Sequence, residues 1–339
     1  MKAALIRKYG QKNLEIAEVD IPTVRDNDVL VKIVAASINP IDLKTKDGKV
    51  KMLLSYKMPL ILGSDFAGIV ESVGKNVTKY KIGDKVYGRV QKNRIGTFAE
   101  YIAVDQGDIA LKPKNLTFEE AASIPLVGLT SYQALYDIMQ LKADDKVLIQ
   151  AGAGGIGTIA IQLAKLTSAY VATTTSAKNA DFVKSLGADK IIDYRTENFE
   201  EVLTDYDYVY DTMGGETLEK AFRIIKPNGK VVSLSGIPNK RFAKEYGLPL
   251  WKQIILGIAT RNISKLEKKT NASYHFLFMK PSGPQLEILT NLIEQGKIQP
   301  IIDQVVSLNN IQTAVNHSLS GRAKGKIIIR VAENLKDEK

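Results

Sequence analysis

A glycine-rich turn between two regular segments restricts the fold more than any other feature of this sequence. An apolar run at 147–150 leads into the turn, and a stretch with helical periodicity follows it at 158–165. The turn contains Gly152, Gly154, Gly155, Ile156 and Gly157. Its G-x-G-x-x-G spacing between a strand and a helix allows a tight bend and lets the backbone approach a pyrophosphate at the helix N-terminus. The stretch therefore predicts a dinucleotide site rather than a purely structural turn.

The length and composition are typical of a globular protein with two domains. The chain has 339 residues, of which 45% are apolar and 25% are charged, which is enough for two separate cores. No apolar run approaches the roughly 20 residues needed to span a bilayer. The first eight residues become charged too early for a signal peptide. We therefore expect a cytoplasmic protein with no membrane partner.

The sequence excludes one kind of metal chemistry. It contains no cysteine and only two histidines, His275 and His317. Disulfides and thiolate metal sites are therefore impossible, and zinc catalysis built on Cys and His ligands is excluded. We expect both histidines to be packing residues, and we expect no metal.

The net charge of +10 raises the question of a nucleic-acid partner. We interpret the lysines as scattered along the chain, because we find no long basic run and no aromatic–basic platform. This pattern favours a lysine-rich solvated surface, which would also suit an anionic cofactor. We expect no nucleic-acid partner.

The pattern of segments changes once along the chain. Residues 1–125 contain short β-branched runs separated by Gly, Pro and Asp turns, which is typical of a compact antiparallel barrel. From residue 146 strands alternate with helices, which predicts a doubly wound parallel sheet. We expect its strands at 147–150, 170–174, 190–192, 208–211 and 230–234. The prediction is an α/β protein in which 1–125, completed by 281–339, forms one domain and 126–280 forms the other.

Three more motifs accompany the glycine turn: Asn-Pro-Ile-Asp at 39–42, Gly-Ser-Asp-Phe-Ala-Gly at 63–68, and the stretch 127–135. In this order the four motifs resemble the medium-chain dehydrogenase/reductase superfamily, and within it the zinc-independent quinone oxidoreductase branch with its enone and alkenal reductases. The resemblance extends from residue 1 to about residue 331. It implies a GroES-like catalytic domain, a Rossmann domain and a homodimer. Where the zinc enzymes place a ligand cysteine and Gly-His-Glu, this chain has Asn39 and Gly63-Ser64-Asp65.

The end of the second predicted strand of the nucleotide-binding domain indicates the cofactor. An NAD site needs a carboxylate there for the ribose diol, but no acid occurs before Asp181. Ser176 and Lys178 supply instead a hydroxyl and a cation, which suit a 2′-phosphate. By resemblance, Tyr194 would close over the same phosphate or over the adenine. We predict NADPH as the cofactor.

The resemblance implies further cofactor contacts. They are Thr130 and Thr158 at the phosphates, Thr212, Ser235 and Gly236 at strand ends, Phe278 and Met279 beside the nicotinamide, and Lys326.

The resemblance also implies the chemistry. Hydride would pass to the β-carbon of an α,β-unsaturated carbonyl or to a quinone, and hydrogen-bond donors would stabilise the resulting oxyanion. Asn39, Asp42 and Lys44 lie in the segment that lines the substrate cleft in this family. Asn39 could hold the ribose or a substrate oxygen, and Lys44 could stabilise the enolate or relay a proton. Tyr56 is a reserve donor, and water is another source of the proton.

Two functions follow from these observations. The first is an NADPH-dependent reductase of quinones or of enones and alkenals, with no preference between the acceptor classes indicated. The second is a non-catalytic NADPH-binding protein, since the resemblance extends to crystallin relatives. Consumption of NADPH in the presence of an acceptor distinguishes the two.

Overall fold

A computed structural model describes residues 1–332 of the chain. Its strands are β1 (Lys2–Ile6), β2 (Glu15–Glu18), β3 (Asp28–Ile38), β4 (Leu60–Ile61), β5 (Asp65–Val73), β6 (Lys85–Arg89), β7 (Tyr101–Asp105), β8 (Ile109–Leu111), β9 (Lys146–Ile149), β10 (Tyr170–Thr175), β11 (Lys190–Asp193), β12 (Tyr206–Asp211), β13 (Ile225–Ser233), β14 (Ser273–Phe276), β15 (Ile302–Ser307) and β16 (Lys326–Arg330). The last seven residues of the predicted segment 281–339 lie outside the described residues.

The α-helices are α1 (Pro40–Lys46), α2 (Phe118–Ala122), α3 (Pro125–Tyr132), α4 (Gly155–Lys165), α5 (Ala180–Ser185), α6 (Phe199–Val202), α7 (Gly215–Ala221), α8 (Lys240–Glu245), α9 (Leu250–Ala259), α10 (Arg261–Thr270), α11 (Gly283–Glu294) and α12 (Ile311–Leu319). Helix α3 continues directly into a π-helical stretch, Gln133–Met139. Short 3₁₀ turns occupy Lys92–Arg94, Gln106–Asp108, Ala177–Asn179 and Leu308–Asn310. Within residues 1–332, every helix is too short or too polar to cross a bilayer.

The chain divides into two compact units. Unit 1 consists of Met1–Leu129 together with the chain from Lys280 onward, and unit 2 consists of Thr130–Met279.

Unit 2 is built on a six-stranded sheet in which every neighbouring pair is parallel, in the order β11-β10-β9-β12-β13-β14. The apolar residues of β9 are completely buried, as expected for a central parallel strand. Because β9 lies between β10 and β12, the strand order reverses at β9, and its carboxyl end is the switch point where ligands bind in such sheets. All five strands expected in this region are present, and their ends either agree with the expected ones or differ by up to five residues.

The largest shift has a local cause. Helix α7 ends at Ala221, and Ile225 already begins β13, five residues before the expected start of this strand at 230. Pro227 disfavours helical torsion angles at the preceding residue and cannot donate a helical hydrogen bond. The chain therefore leaves the helix before it reaches this proline.

Unit 1 is organised around the long strand β3. This strand pairs with β5, β7 and β16, all antiparallel, within a sheet of order β15-β16-β3-β5-β6-β8. A second sheet has the order β2-β1-β4. The pairing of β16 with β3, with Ile327 opposite Ile38, brings the C-terminal part of the chain into this unit. Val31, Ile33 and Phe66 are among the side chains of its buried core.

Candidate functional site

The glycine turn leaves β9 and enters α4 within five residues. Its first residues are held by the neighbouring strand β10: the Ala151 N–H donates to Thr174 Oγ1 and the Gly152 N–H to the Thr174 carbonyl, both at 3.0 Å. Gly154 is the N-cap of α4 and has no side chain to bond the first turn. The first N–H groups of this 11-residue helix are therefore left for an external acceptor, at the positive end of its dipole.

The three motif glycines differ in what a side chain would meet. A Cβ on Gly152 would lie 2.2 Å from Thr173 Oγ1, and one on Gly157 would lie 2.4 Å from the Ala151 carbonyl oxygen. A Cβ on Gly154 would have one neighbour within 4 Å, at 3.3 Å, and its φ of −80° suits any residue. Packing thus requires Gly152 and Gly157, whereas at Gly154 the torsion angles suit any residue and a Cβ would need only a small shift of the Ala151 carbonyl oxygen. A bare backbone at that position fits a pyrophosphate that approaches closely.

Hydrogen bonds tie three strand ends together beside this turn. The Thr212 hydroxyl donates to the Gln150 carbonyl at 3.1 Å, and the Ser235 hydroxyl donates to the Thr212 carbonyl at 2.8 Å. The Gly236 N–H donates to Ser233 Oγ at 2.8 Å. The structure therefore brings the predicted residues Thr212, Ser235 and Gly236 to the carboxyl edge of the sheet, next to the end of β9.

A buried carboxylate that sequence reasoning missed organises the same edge. Asp211 accepts from the N–H groups of Met213 and Gly214, at 3.0 and 2.9 Å, and from the Ser233 hydroxyl at 2.5 Å. Burial raises the pKa of Asp211 above its ordinary value. Because all these donors belong to the turn after β12 and to the end of the adjacent strand β13, Asp211 fixes the two strand ends and does not point to a ligand.

Gln150 is a second missed residue. It is completely buried at the end of β9, and both side-chain amide atoms lack a hydrogen-bond partner among residues 1–332. Buried polar atoms are nearly always satisfied by protein, water or ligand. An orphaned amide at the switch point is consistent with a polar cofactor at this edge.

The predicted 2′-phosphate residues follow β10 and β11. Ser176 is buried, whereas Lys178 and Tyr194 are exposed. The Asp193 carboxylate accepts from the N–H groups of Ala177 and Arg195, at 3.2 and 3.1 Å, and so draws the two loops together. Arg195 lies 5.8 Å from the centre of the Tyr194 ring and is a further cation that sequence reasoning missed.

The remaining predicted residues of unit 2 have mainly internal contacts. Thr130 is buried in α3, and the buried Thr158 donates to the Gly155 carbonyl at 3.0 Å. Phe278 lies beyond the end of β14 in an aromatic cluster. Its ring centre is 6.1 Å from that of Phe242 and 5.7 Å from that of Tyr246. Met279 is buried.

In unit 1, the segment that begins α1 forms a helix cap. Asn39 is the N-cap, Pro40 is the first helical residue, and the Asp42 carboxylate accepts from the Asn39 N–H at 2.9 Å. The other oxygen of Asp42 accepts from the Ser64 hydroxyl at 2.7 Å. Asn39 and Asp42 are each 1% exposed, so the structure directs both predicted catalytic side chains into unit 1.

A buried ion pair holds the Asn39 amide at both ends. Asn39 Oδ1 accepts from Lys326 Nζ at 2.5 Å, and Asn39 Nδ2 donates to Asp65 Oδ2 at 2.9 Å. Lys326 also donates to the Ile38 carbonyl at 3.1 Å and lies 3.6 Å from Asp65 Oδ2. The ammonium group thus makes two hydrogen bonds and one ion pair inside unit 1. In this arrangement Lys326 anchors Asn39 rather than presenting a free cation to a cofactor.

Asp65 is the most connected member of this cluster and was not assigned a role from the sequence. Besides Asn39 and Lys326, it binds the Ser37 hydroxyl and the Leu126 N–H, each at 3.0 Å. Burial raises the pKa of Asp65 and lowers that of Lys326 from their ordinary values, and each charge partly offsets the effect on the other.

Asp42 gives a pH prediction. Burial raises its pKa from 3.8 to about 6, and the Asp65 carboxylate adds to the rise. Because the folded state binds this proton more tightly, the contribution to stability is complete below about pH 4 and is lost as the pH rises through about 6. Between pH 4 and 7 the wild type should lose about 2–3 kcal/mol relative to Asp42→Asn, measured by urea unfolding. Parallel stability curves for the two proteins would contradict this.

Lys44 is the predicted catalytic residue whose polar group has no internal partner. It lies in the last turn of α1 and is partly exposed. Among residues 1–332 its ammonium group makes no hydrogen bond or ion pair. The Tyr56 hydroxyl, in contrast, donates its proton to the Lys92 carbonyl at 2.5 Å. Burial, together with the charges of Arg89 and Lys280, lowers the pKa of Lys92 to about 7, so Lys92 is a further amine that sequence reasoning missed.

The fold and the turn define a two-unit dehydrogenase/reductase, and comparisons with known proteins specify it. Residues 25–114 match the alcohol dehydrogenase GroES-like domain, and residues 186–329 match the zinc-binding dehydrogenase family. The chain is 36% identical to 2-methylene-furan-3-one reductase of Solanum lycopersicum, over 97% of this chain and 79% of that one. It is 34% identical to the chloroplastic NADPH-dependent alkenal/one oxidoreductase of Arabidopsis thaliana, with the same coverage. The structure of the quinone oxidoreductase from Coxiella burnetii matches with a TM-score of 0.84 and 34% identity, over 98% of this chain and 99% of that one.

The chain therefore belongs to the zinc-independent quinone and enone oxidoreductase branch of the medium-chain dehydrogenase/reductase superfamily. The family resemblance and the α/β fold class predicted from the sequence, with GroES-like and Rossmann parts, are confirmed.

Zinc, which the name of one matched family implies, does not fit the donor groups of this chain. The sequence has no cysteine, and residues 1–332 contain no group of three His, Cys, Asp or Glu side chains that could hold a metal ion. His317 pairs with Asp303 at 2.5 Å. His275 contacts the Ser273 hydroxyl at 3.1 Å, and burial lowers its pKa to about 4. We therefore assign no step to zinc.

Proposed function

We propose that this protein is an NADPH-dependent enzyme that transfers hydride to quinones or to α,β-unsaturated carbonyls. The observation that carries the proposal is the glycine turn at the switch point, where residue 154 is a glycine although its torsion angles suit any residue and a Cβ would meet only the Ala151 carbonyl oxygen, at 3.3 Å. The family to which the chain belongs supports the same reaction, since relatives in it are named as reductases of enones, alkenals and quinones.

Unit 2 is proposed to hold the cofactor. The first N–H groups of α4 would bind the pyrophosphate. Ser176 would donate its hydroxyl to the 2′-phosphate, and Lys178 and Arg195 would supply positive charge. The remainder of the cofactor would lie along the carboxyl edge of the sheet, beside Thr212, Ser235 and Gly236.

Unit 1 is proposed to activate the acceptor. NADPH, when bound, supplies the hydride. Lys44 would donate a hydrogen bond to the acceptor oxygen as negative charge develops there, and would supply its proton either directly or through water. The buried cluster would act indirectly: Asn39 and Asp42 fix the first turn of α1 and thereby the position of Lys44.

Absorbance at 340 nm, the nicotinamide band, tests the reaction. Purified protein is expected to oxidise NADPH with at least one member of a panel of small enones, alkenals and quinones. NADPH that binds but is not oxidised by any of these acceptors would instead support a non-catalytic binding protein.

Lys44→Met should lower kcat by about 100-fold, because an aligned donor at a developing oxyanion contributes effects of this size. Lys49→Met is the matched control, since Lys49 is an exposed lysine close to α1 whose loss should leave kcat unchanged. Lys92→Met should have a smaller effect than Lys44→Met. A larger loss of kcat in Lys92→Met would reassign the donor to Lys92.

The preference for NADPH can be tested at Lys178. Lys178→Ala should raise KM for NADPH about tenfold and leave KM for NADH unchanged, because only NADPH carries the 2′-phosphate that the lysine would bind. Lys184→Ala, at an exposed lysine of α5, should change neither value. Equal effects of Lys178→Ala on both cofactors would remove Lys178 from the phosphate site.

We further propose a homodimer formed through unit 2, in the cytoplasm. Strand β14 ends the order of the parallel sheet and offers an edge that a second copy can pair with. Light scattering should give a mass of about 75 kDa, twice the 37.3 kDa of one chain. A mass of one chain would contradict the dimer, and protection of the protein from added protease inside intact organelles would contradict the cytoplasmic location.

A further inference from the structure

Helix α9 of unit 2 exposes a broad apolar face. The exposed fractions are 75% for Leu250, 58% for Trp251, 57% for Ile254, 47% for Ile255 and 70% for Ile258. At about 100° per residue these five positions share one arc about 140° wide, and the buried Leu256 lies on the opposite side of the helix. Exposed apolar patches of this extent mark interaction sites.

Positive charge is concentrated in the segment that contains this face. The segment 240–270, which contains α8, α9 and α10, has eight Lys or Arg residues and two Glu residues, and so carries +6 of the net +10 of the chain. The exposed cations are Lys240, Arg241, Lys244, Arg261, Lys265, Lys268 and Lys269. The interpretation of the lysines as scattered along the sequence is therefore wrong for this segment.

We propose that the α9 face docks on an anionic lipid surface. Apolar side chains with a tryptophan, flanked by Lys and Arg, are the combination by which a helix lies in the headgroup region of a bilayer. The apolar side chains enter the boundary with the acyl chains, and the cations bind the anionic headgroups. The expectation of no membrane partner rested on the absence of a spanning segment, which does not bear on docking at a surface.

The charges argue against the other occupants of this face. In a symmetric dimer the same patch lies on both subunits, so a dimer through α9 would place the +6 segment of one copy against that of the other. A nucleic acid would pair with the cations but would leave the Leu, Trp and Ile side chains without an apolar partner.

Trp251 gives a direct readout because it is the only tryptophan in the chain. With the full-length protein, vesicles of phosphatidylcholine and phosphatidylglycerol in equal parts should shift the fluorescence of Trp251 to shorter wavelength. Lipids brominated on the acyl chains should quench it. Vesicles of phosphatidylcholine alone should have little effect, and salt at about 1 M should reverse the binding because it screens charges beyond about 3 Å.

Matched variants locate the surface. In co-sedimentation, the double variant Ile254→Gln/Ile258→Gln and the double variant Lys265→Glu/Lys268→Glu should each weaken vesicle binding at least about tenfold. Ile82→Gln, at an isoleucine of unit 1 that is 68% exposed, should bind as the wild type does. All three variants should reduce a water-soluble acceptor at the wild-type rate, which verifies that they are folded.

Three results would overturn the proposal. The first is an unchanged Trp251 spectrum with anionic vesicles. The second is vesicle binding that Ile254→Gln/Ile258→Gln does not weaken. The third is self-association, or binding to an acidic polypeptide or to duplex DNA but not to vesicles, that depends on the same isoleucines.

Discussion

Asp65→Ala is expected to lower the free energy of unfolding by about 3–5 kcal/mol, because it leaves the buried Lys326 without its counter-ion. It also removes the acceptor for Ser37, Asn39 and Leu126. Since a domain of ordinary stability has about 5–15 kcal/mol in total, the variant should unfold at much lower urea concentration or fail to accumulate. Equilibrium urea unfolding of the variant and the wild type measures the effect.

A surface ion pair and a double variant provide the controls. Glu15→Ala breaks the pair with Arg7, which is largely exposed, and should leave the urea midpoint almost unchanged. Asp65→Ala/Lys326→Met removes both buried charges and should be more stable than the sum of the single effects implies. Strictly additive single effects would mean that Asp65 and Lys326 do not interact energetically.

Gly154→Val is expected to weaken NADPH binding by about 100-fold or more while the fold is retained. The valine side chain would occupy the space through which the pyrophosphate reaches the N–H groups of α4, and charge-assisted hydrogen bonds there are worth about 1.5–3 kcal/mol each. The φ of −80° at residue 154 suits a side chain, and the one close contact of a Cβ, 3.3 Å from the Ala151 carbonyl oxygen, needs a shift of only a few tenths of an ångström. Fluorescence titration with NADPH, together with thermal unfolding, measures both effects.

Gly157→Ala is the informative comparison. Its Cβ would lie 2.4 Å from the Ala151 carbonyl oxygen and 2.6 Å from the Gly152 Cα. This variant should therefore lose stability as well as NADPH binding, whereas Gly154→Val should lose only binding. Wild-type affinity for NADPH in Gly154→Val would exclude the turn as the pyrophosphate site.

Local sequence signals were sufficient for the nucleotide-binding sheet. The strand, glycine turn and helix around residue 154 lie within about twenty consecutive residues, so spacing alone predicts their order. The cap of α1 could also have been predicted, because Asn39-Pro40 followed by Asp42 carries the residues preferred at the N-cap, first and third helical positions. The same residues were interpreted instead as catalytic groups.

The buried cluster of unit 1 could not be predicted in this way. Lys326 and Asn39 are 287 positions apart in the sequence, and they meet because β16 pairs with β3 in one particular register. No local pattern encodes that register. The apolar face of α9 illustrates a second limit, since helical periodicity predicts which residues share a face but not whether another element covers it.

Isotope transfer from the cofactor tests the central claim most directly. The protein would be incubated in ordinary water with an open-chain enone and NADPH deuterated at both C4 positions, and the saturated ketone would be examined by NMR. We expect one deuterium at the β-carbon and a solvent proton at the α-carbon, because hydride comes from the cofactor and the proton from Lys44 or water. A product with only hydrogen at the β-carbon, formed while NADPH is consumed, would contradict direct hydride transfer and with it the proposed function.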